Sequence, residues 1–548
     1  MAGKGLLHVT MEPREGLSLD QFNEWYNNEH GPTRLRLPHI FPNGLRYRAT
    51  DGEKPTFAAI YDVTDMDYLN KPIYTDLRAN RSPREANTIG QVDVDRRFFD
   101  LVAEQKSPLF MPVEQLTDVE AAGLVLINVE VSLREGADEK EVIRWYTEEH
   151  IPMLAKVPGW LRSRVYRTPS TVEPGSTQQR RIVTLHEYAK ENGLGGPEHE
   201  ASMATPWRND VFAKHIDQKF RRAYELFYVF GPGPRDLQSL SRLPETASFV
   251  SADGKIETHA GGPSREAVIT AYVNTADGLA IPYRLEGNPS ADAPTVAFSN
   301  SLLTSLAMWD PLVTILKTKR PDLRILRYDT RGRHDVPSPP VPATLDMLAS
   351  DLATLLSGLR IEKLHALVGV SMGGATTLKF ALKYPQRLEK FVACDFNVAS
   401  SDANTAAWKD RITIAEDQSP DSGIRKLAGV TVERWFHPQT MTKKPNVAKW
   451  MTSMVAANSV QGFRYSCQAL WDYNMREEMT KCQVLGLFVV GDQDGKGALV
   501  KAMDGFKGLL GTQREGKGGA ELKVVPTAGH LPMCESPEGF WEAVEGFL

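Results

Sequence analysis

Residues 364–383 read LHALVGVSMGGATTLKFALK and contain the pattern G-x-S-x-G. An apolar run precedes the pattern and a helical run follows it, which is the context of a tight strand-to-helix turn. On such a turn a serine side chain projects above the edge of the sheet, and glycines on either side leave room for the neighbouring backbone. The pattern therefore predicts Ser371 as a nucleophile, with the backbone N–H of Met372 at the helix N-terminus facing an oxyanion.

The sequence on both sides of this turn alternates strands with helices. From Ala267 onward, near-continuous apolar runs are separated by helical stretches, which predicts a mostly parallel sheet covered on both faces. Between about residues 397 and 479 this rhythm stops and the sequence is helical, so a lid is expected over the C-terminal edge of the sheet. The predicted strands are TVAFSN (295–300), RILRYD (324–329), LHALVG (364–369), KFVACD (390–395), LGLFVVGD (485–492) and LKVVPT (522–527).

Partners for the serine follow it in the chain order serine, acid, histidine. A serine hydroxyl is a weak nucleophile unless a base takes its proton and an acid orients that base. His530 follows the last strand in VVPTAGHLP, and Asp494 follows the strand LGLFVVGD. Asp492 is the competing acid. Asp494 is preferred because it lies farther past the strand end, in the loop that must reach the histidine.

The remaining site predictions lie in loops and in the lid. The loop FSNSLLTSLAMWD (298–310) follows the first of these strands, and the backbone N–H of Leu302 is predicted as the second oxyanion donor. Trp309 and Trp435 are predicted either to line the substrate pocket or to pack in the core. Arg331 either binds a substrate carboxylate or braces neighbouring loops.

The N-terminal half contains an internal repeat. WYNNEH at residues 25–30 returns as WYTEEH at 145–150, and matching runs extend the repeat over residues 1–230. Each copy has the order strand, helix, two strands, helix, strand, which is the ferredoxin-like α+β pattern. One such unit leaves a sheet face uncovered. Two tandem units therefore predict a fused pseudo-dimeric barrel.

These patterns predict four segments along the chain. The first ferredoxin-like repeat is expected over residues 1–115 and the second over 116–232. Residues 233–266 are rich in proline and glycine, which predicts a linker or an irregular wrap. The strand–helix domain with its lid is expected over residues 267–548.

The repeated sextets have two interpretations. Residues four apart share a helix face, so Tyr26 with His30, and Tyr146 with His150, would offer a proton donor and acceptor to a cavity. Alternatively the aromatic side chains fill a helix–sheet core and the histidines are satisfied structurally. A proline two residues after each sextet is expected to end the helix there, and the spacing does not predict a metal pair.

Composition excludes several function classes. The chain has 64 basic and 69 acidic residues and a net charge of −5, so there is no electrostatic case for nucleic acid or an anionic membrane. No run approaches the roughly 18 apolar residues of a membrane span, and no signal peptide is recognised, which predicts the cytosol. The four cysteines lack metal or disulfide spacing, so they are expected to be reduced thiols and no metal site is predicted.

Residues 267–548 resemble α/β-hydrolases similar to the 3-oxoadipate enol-lactone hydrolases. The resemblance implies a cofactor-free serine hydrolase acting on a lactone or ester, with Ser371 as nucleophile, His530 as base and Asp494 as the residue that orients it. The motifs that carry the resemblance are SNSLLTSLAMWD (299–310), RYDTRGRHDVP (327–337), LVGVSMGG (367–374), YPQRLEKFVACD (384–395), RWFHPQT (434–440), GDQD (491–494) and AGHLPMCESPE (528–538).

The N-terminal repeat resembles a different group, the EthD-like branch of dimeric α/β-barrel proteins, through W-Y-x-x-E-H-x-P and the ferredoxin-like order. The leading hypothesis is a serine hydrolase that cleaves a lactone or ester of a small or aromatic metabolite through an acyl-enzyme, with the barrel as scaffold, oligomerisation surface or gate to the substrate. One alternative is a bifunctional enzyme whose barrel decarboxylates or isomerises the metabolite. Another is a non-catalytic binding module.

Overall fold

The computed structural model describes residues 3–169, 180–262, 266–417, 423–511 and 518–548. The chain forms two compact units, Met1–Pro232 and Gly233–Leu548. Among the described residues, no helix combines the length and the apolar composition needed to cross a bilayer.

The N-terminal unit is a closed antiparallel barrel with the strand order β1-β3-β2-β8-β5-β7-β6-β4. Two long strands close it, because β4 pairs with both β1 and β6, and β8 pairs with both β5 and β2. Closure leaves no strand edge open to solvent. The strands are β1 (Gly5–Pro13), β2 (Leu45–Ala49), β3 (Phe57–Val63), β4 (Val92–Lys106), β5 (Val125–Leu133), β6 (Trp160–Arg167), β7 (Arg181–Tyr188) and β8 (Ile216–Val229).

Short helices lie between the barrel strands, and each half of the barrel has the order strand, helix, strand, strand, helix, strand. Its interpretation as a ferredoxin-like duplication remains a prediction. The helices are α1 (Leu19–Trp25), α2 (Gly31–Leu35), α3 (Pro72–Ala79), α4 (Pro83–Ile89), α5 (Asp118–Ala121), α6 (Glu139–Trp145), α7 (Ile151–Leu154), α8 (Pro197–Ser202) and α9 (Pro206–His215).

The two repeated sextets do not end their helices, which corrects the expectation drawn from the prolines. Each sextet contains one π-helical turn, and the α-helix then continues through the proline as α2 or α7. In these turns the N–H of Gly31 bonds to the oxygen of Tyr26, and that of Ile151 to the oxygen of Tyr146. A wider turn accommodates the proline, which has no N–H to donate and needs space for its ring.

The C-terminal unit is built on a ten-stranded sheet with the order β18-β17-β16-β15-β13-β14-β12-β11-β10-β9. The six strands from β18 to β14 are parallel, and the other four join the sheet antiparallel. The strands are β9 (Phe249–Val250), β10 (Glu257–His259), β11 (Val268–Asn274), β12 (Ala280–Gly287), β13 (Thr295–Ser299), β14 (Arg324–Tyr328), β15 (Ala366–Val370), β16 (Lys390–Cys394), β17 (Leu485–Gly491) and β18 (Glu521–Val525).

Helices follow most of the parallel strands, and six of them, α14 to α19, form an insertion between β16 and β17. The insertion falls in the segment for which a helical lid is expected. The helices of this unit are α10 (Leu237–Ser241), α11 (Asp310–Lys319), α12 (Leu345–Gly358), α13 (Met372–Lys383), α14 (Asp402–Glu416), α15 (Gly423–Trp435), α16 (Pro438–Lys443), α17 (Pro445–Ala456), α18 (Val460–Ser466), α19 (Arg476–Met479), α20 (Ala498–Phe506), α21 (Pro532–Glu535) and α22 (Pro537–Val544).

The segment expected to be a linker, residues 233–266, differs from that expectation over its described part, which lies within the C-terminal unit. It contributes α10, the edge strand β9 and its neighbour β10. Leu237, Leu240 and Leu243 are buried in the same hydrophobic core as the central sheet. Three leucines spaced by three residues present one apolar face, and this local pattern outweighs the surrounding prolines and glycines.

Candidate active site

Ser371 occupies a strained turn between β15 and α13. Its backbone has φ 60° and ψ −119°, outside the ordinary regions for a residue with a Cβ. Its N–H donates to the oxygen of Cys394 on the neighbouring strand at 2.9 Å. A Cβ added at Gly369 would collide with the backbone of Gly373, and one added at Gly373 would collide with Ser299. The turn is therefore tight enough to require glycine on both sides of the serine.

His530 and Asp494 are joined by a hydrogen bond, with 2.7 Å between Nδ1 of the imidazole and Oδ2 of the carboxylate. Trp435 in α15 holds the histidine from the other side. Its carbonyl accepts the backbone N–H of His530 at 2.7 Å, and its ring stacks on the imidazole with 5.5 Å between centroids. The competing acid, Asp492, instead accepts the backbone N–H of Ala528 at 3.1 Å.

A cavity of about 430 Å³ brings these residues together at the C-terminal end of the parallel strands. Ser371, Asp494 and His530 line it, together with Leu302 from the loop after β13 and Trp435 from the lid. Met372 begins α13 directly after the serine, so its N–H lies at the helix N-terminus. The cavity thus brings together a hydroxyl and an imidazole that is hydrogen-bonded to a carboxylate, next to the N-terminus of α13.

A second carboxyl group, Asp395, lies beside Asp494 and was not considered in the sequence analysis. It follows β16 directly, is 1% exposed, and accepts the N–H of Gly491 at 2.9 Å. Burial, reinforced by the charge of Asp494, raises the pKa of Asp395 well above its usual range. The shift favours the protonated form of Asp395, beside the carboxylate that is hydrogen-bonded to His530. The signal was present in the sequence, because KFVACD ends at the same sheet edge as Ser371.

Two arginines of the helical insertion also line this cavity and were missed by sequence reasoning. Arg411 lies on α14 and Arg434 on α15, and among the described residues neither forms an ion pair. Burial and the nearby charge of Arg434 lower the pKa of Arg411 to about 10, and burial lowers that of Arg434. Two partly desolvated cations beside the serine make the cavity attractive to an anionic ligand.

Trp309 and Arg331 are not among the residues that line the cavity, which favours the alternatives of core packing for Trp309 and loop bracing for Arg331. Trp309 is fully buried, and its Nε1 donates to Oδ1 of Asn300 at 2.8 Å, in the loop that carries Leu302. Arg331 is buried and makes two hydrogen bonds to Asp351, at 2.5 and 2.6 Å. Both side chains brace loops because their polar groups are already satisfied inside the protein.

In the barrel, the two predicted tyrosine–histidine pairs have different surroundings. Nδ1 of His30 lies 2.7 Å from Oε1 of Glu85, and the hydroxyls of Tyr26 and Tyr61 are 3.3 Å apart. Tyr146 and His150 line a small cavity. Burial lowers the pKa of His30 to about 4 and that of His150 to about 3. Neither histidine therefore titrates near neutrality as expected, because burial disfavours the charged imidazolium.

Comparison with known proteins places the C-terminal unit among hydrolases. A family model for the alpha/beta hydrolase fold matches residues 294–537. The chain is 30% identical over 261 residues to 3-oxoadipate enol-lactonase 1 of Acinetobacter baylyi, covering 48% of this chain and 91% of that protein. It is 28% identical over 275 residues to 3-oxoadipate enol-lactonase 2 of the same organism, covering 50% and 95%.

One solved structure among the matches is the enol-lactonase from Burkholderia xenovorans LB400. It is 27% identical, with a TM-score of 0.43, and the match covers 49% of this chain and 96% of that one. The chain therefore belongs to the α/β hydrolase family, through a C-terminal half that resembles enol-lactonases.

Proposed function

We propose that this protein is a cofactor-independent serine hydrolase that cleaves a lactone or ester carrying a negative charge. One observation carries the proposal: Ser371 and the hydrogen-bonded pair His530–Asp494 line a single cavity. The similarity to enol-lactonases supports the same reaction class. A triad-like set in an open cavity also favours catalysis over a non-catalytic binding role.

The reaction follows from the roles of these groups. Oγ of Ser371 attacks the ester carbonyl while His530 takes its proton, and Asp494 stabilises the imidazolium that forms. The backbone N–H groups of Met372 and Leu302 bind the oxyanion. When the C–O bond breaks, His530 protonates the leaving oxygen, which leaves an acyl-enzyme. Water, deprotonated by the same histidine, then attacks the acyl group and releases a carboxylic acid and the free serine.

The preference for an anion rests on Arg411 and Arg434. A substrate carboxylate placed between them would form charge-assisted hydrogen bonds, each worth about 1.5–3 kcal/mol. The arginines also compensate for the carboxylate released by hydrolysis.

For the N-terminal barrel we propose a role as scaffold, oligomerisation surface or gate to the substrate, and the EthD-like interpretation stays a prediction. The alternative in which the barrel decarboxylates or isomerises the metabolite requires a base. The low pKa of His150, about 3, makes that histidine a weak proton acceptor at neutral pH.

Labelling and substitution test the proposed function. A fluorophosphonate should label wild-type protein at Ser371, and Ser371→Ala should lose both labelling and turnover of a panel of lactones and esters. Ser400→Ala is the matched control, because Ser400 lines the same cavity and has no proposed role in the reaction. Labelling and turnover that persist in Ser371→Ala, with folding unchanged in thermal denaturation, would place the nucleophile elsewhere.

A further inference from the structure

The second half of the barrel contains a small cavity with buried polar atoms that lack partners. Its volume is about 20 Å³, room for one water-sized group, and it lies between the Tyr146–His150 turn and the barrel sheet. His150 and His186 are 6% and 2% exposed. Nδ1 of His150 and Nε2 of His186 have no hydrogen-bond partner within the part of the chain that the structure describes. Buried polar atoms of this kind are rare in folded proteins unless a ligand or water satisfies them.

The hydrogen bonds around His186 are compatible with a tautomer that carries its proton on Nε2. Oγ of Ser163 accepts the indole N–H of Trp160 at 2.9 Å and lies 2.8 Å from Nδ1 of His186, so its own proton can be donated to Nδ1. Burial holds the pKa of His186 well below its usual value, which favours the neutral ring. In this tautomer Nε2 is a buried N–H donor at the cavity.

The charges around the cavity all have one sign. Arg208 from α9 and Lys219 and Arg221 from β8 line it, and none of the lining side chains carries a carboxylate. Lys219 and Arg221 are exposed, whereas Arg208 is half-buried. Burial and the charges of the two arginines lower the pKa of Lys219. An unmet hydrogen-bond donor behind three cations favours an anion at this position.

The first half of the barrel contains its own carboxylate at the equivalent place. The helices α4 and α9 both begin with a side-chain cap followed by proline, so Glu85 in α4 corresponds to Arg208 in α9. In the first half Glu85 bonds to Nδ1 of His30 at 2.7 Å. The second half has a basic residue, Arg208, at this position. Among the described residues, Nδ1 of His150 has no hydrogen-bond partner.

Strand register shows that a second buried side chain differs between the two halves. Arg46 pairs with Ala59 across β2 and β3, and Val165 pairs with Thr184 at the matching position of β6 and β7. Arg46 is fully buried and packs against the ring of Tyr26, 4.6 Å from its centroid. The second half has valine at this position and therefore no buried guanidinium beside Tyr146.

We propose that this cavity in the second half of the barrel binds the carboxylate group of a small organic acid. The carboxylate would accept the Nε2 proton of His186 and lie against Arg208, where the first half has Glu85. The space at its inner end holds one carboxylate oxygen, and the rest of the acid would extend outward between Lys219 and Arg221. This proposal is independent of the hydrolase site.

Calorimetric titration of the full-length protein tests the proposal. Acetate and benzoate are the carboxylate probes, and phosphate and chloride are the inorganic anions used for comparison. We expect carboxylate binding that persists in an Arg434→Gln background, where the hydrolase cavity is weakened, and that becomes at least about tenfold weaker in Arg208→Glu, which places a carboxylate where the first half has Glu85. Lys214→Glu is the matched control on the same helix, because Lys214 pairs with Asp210 and does not line the cavity. Its binding should equal that of the wild type.

Lys219, at the exposed side of the site, provides a second variant that leaves the buried core unchanged. Lys219→Ala should weaken carboxylate binding about threefold or more, since it removes one cation from the mouth. Equal binding in wild type and Arg208→Glu, or no binding of either acid, would overturn the proposal. Tight binding of phosphate or chloride without binding of acetate or benzoate would overturn the assignment to carboxylates.

Discussion

Asparagine substitutions at Asp494 and Asp395 should have opposite consequences, although the two carboxyl groups are neighbours in one cavity. Asp494 is 2.7 Å from Nδ1 of His530, where a charged acceptor selects the tautomer with its free lone pair facing the serine. Asp494→Asn removes that charge, and we expect kcat to fall by about 10⁴-fold, equivalent to about 5.5 kcal/mol of transition-state stabilisation.

The expected cost of Asp395→Asn is less than about tenfold. The raised pKa of Asp395 keeps it protonated, and an amide has the same shape and the same donor and acceptor as a neutral carboxyl group. Its oxygen can still accept the N–H of Gly491. The two variants carry the same substitution at two carboxyl groups of one cavity, so each is the control for the other.

Steady-state hydrolysis of a chromogenic ester measures both variants, with thermal denaturation to confirm that they fold. Stability provides a further test, because the folded state holds a proton on Asp395 that the unfolded state releases above a pH of about 4. The contribution of Asp395 to the stability of the C-terminal unit should therefore fall as pH rises above about 4, and Asp395→Asn should remove this contribution. A large rate loss in Asp395→Asn with little loss in Asp494→Asn would refute the assignment of the acid.

Three other outcomes are expected. Arg434→Gln should raise KM about tenfold for an ester with a carboxylate and leave KM for its neutral analogue unchanged; equal effects on both would contradict a charge-based preference. Acidification from about pH 6.5 to 4 should destabilise the barrel by about 3 kcal/mol through His30, because its pKa is about 4 in the folded state and about 6.5 in the unfolded chain, which therefore takes up the proton first. Thermal melts at several pH values measure this. An unchanged pH slope in His30→Asn would contradict it. Treatment with EDTA should leave turnover unchanged. One ligand atom each from Asp395, Asp494 and His530 lies within 4.8 Å of the others, but the histidine is hydrogen-bonded to Asp494. A loss of turnover that zinc restores would reveal a metal site.

The strand–turn–helix around Ser371 could be predicted from sequence because each of its requirements is local. An apolar run, a serine between glycines and a helical run are adjacent in the chain, and strand-end positions for Asp494 and His530 follow from the parallel sheet. The same reasoning would have found Asp395, which ends a predicted strand. The raised pKa of Asp395 could not be predicted from sequence, because it depends on burial and on the charge of Asp494, which lies 99 positions away in the chain.

The local sequence also determined the barrel's element order and the alternation of strands and helices, because hydrophobic periodicity acts over a few residues. Tertiary structure decided the different surroundings of side chains that look alike in the sequence. Trp309 is buried behind a loop while Trp435 lies against His530, and His30 has an acidic partner that His150 lacks. These differences arise from contacts between residues far apart in the chain, where packing, desolvation and charge act together and no local pattern records the outcome.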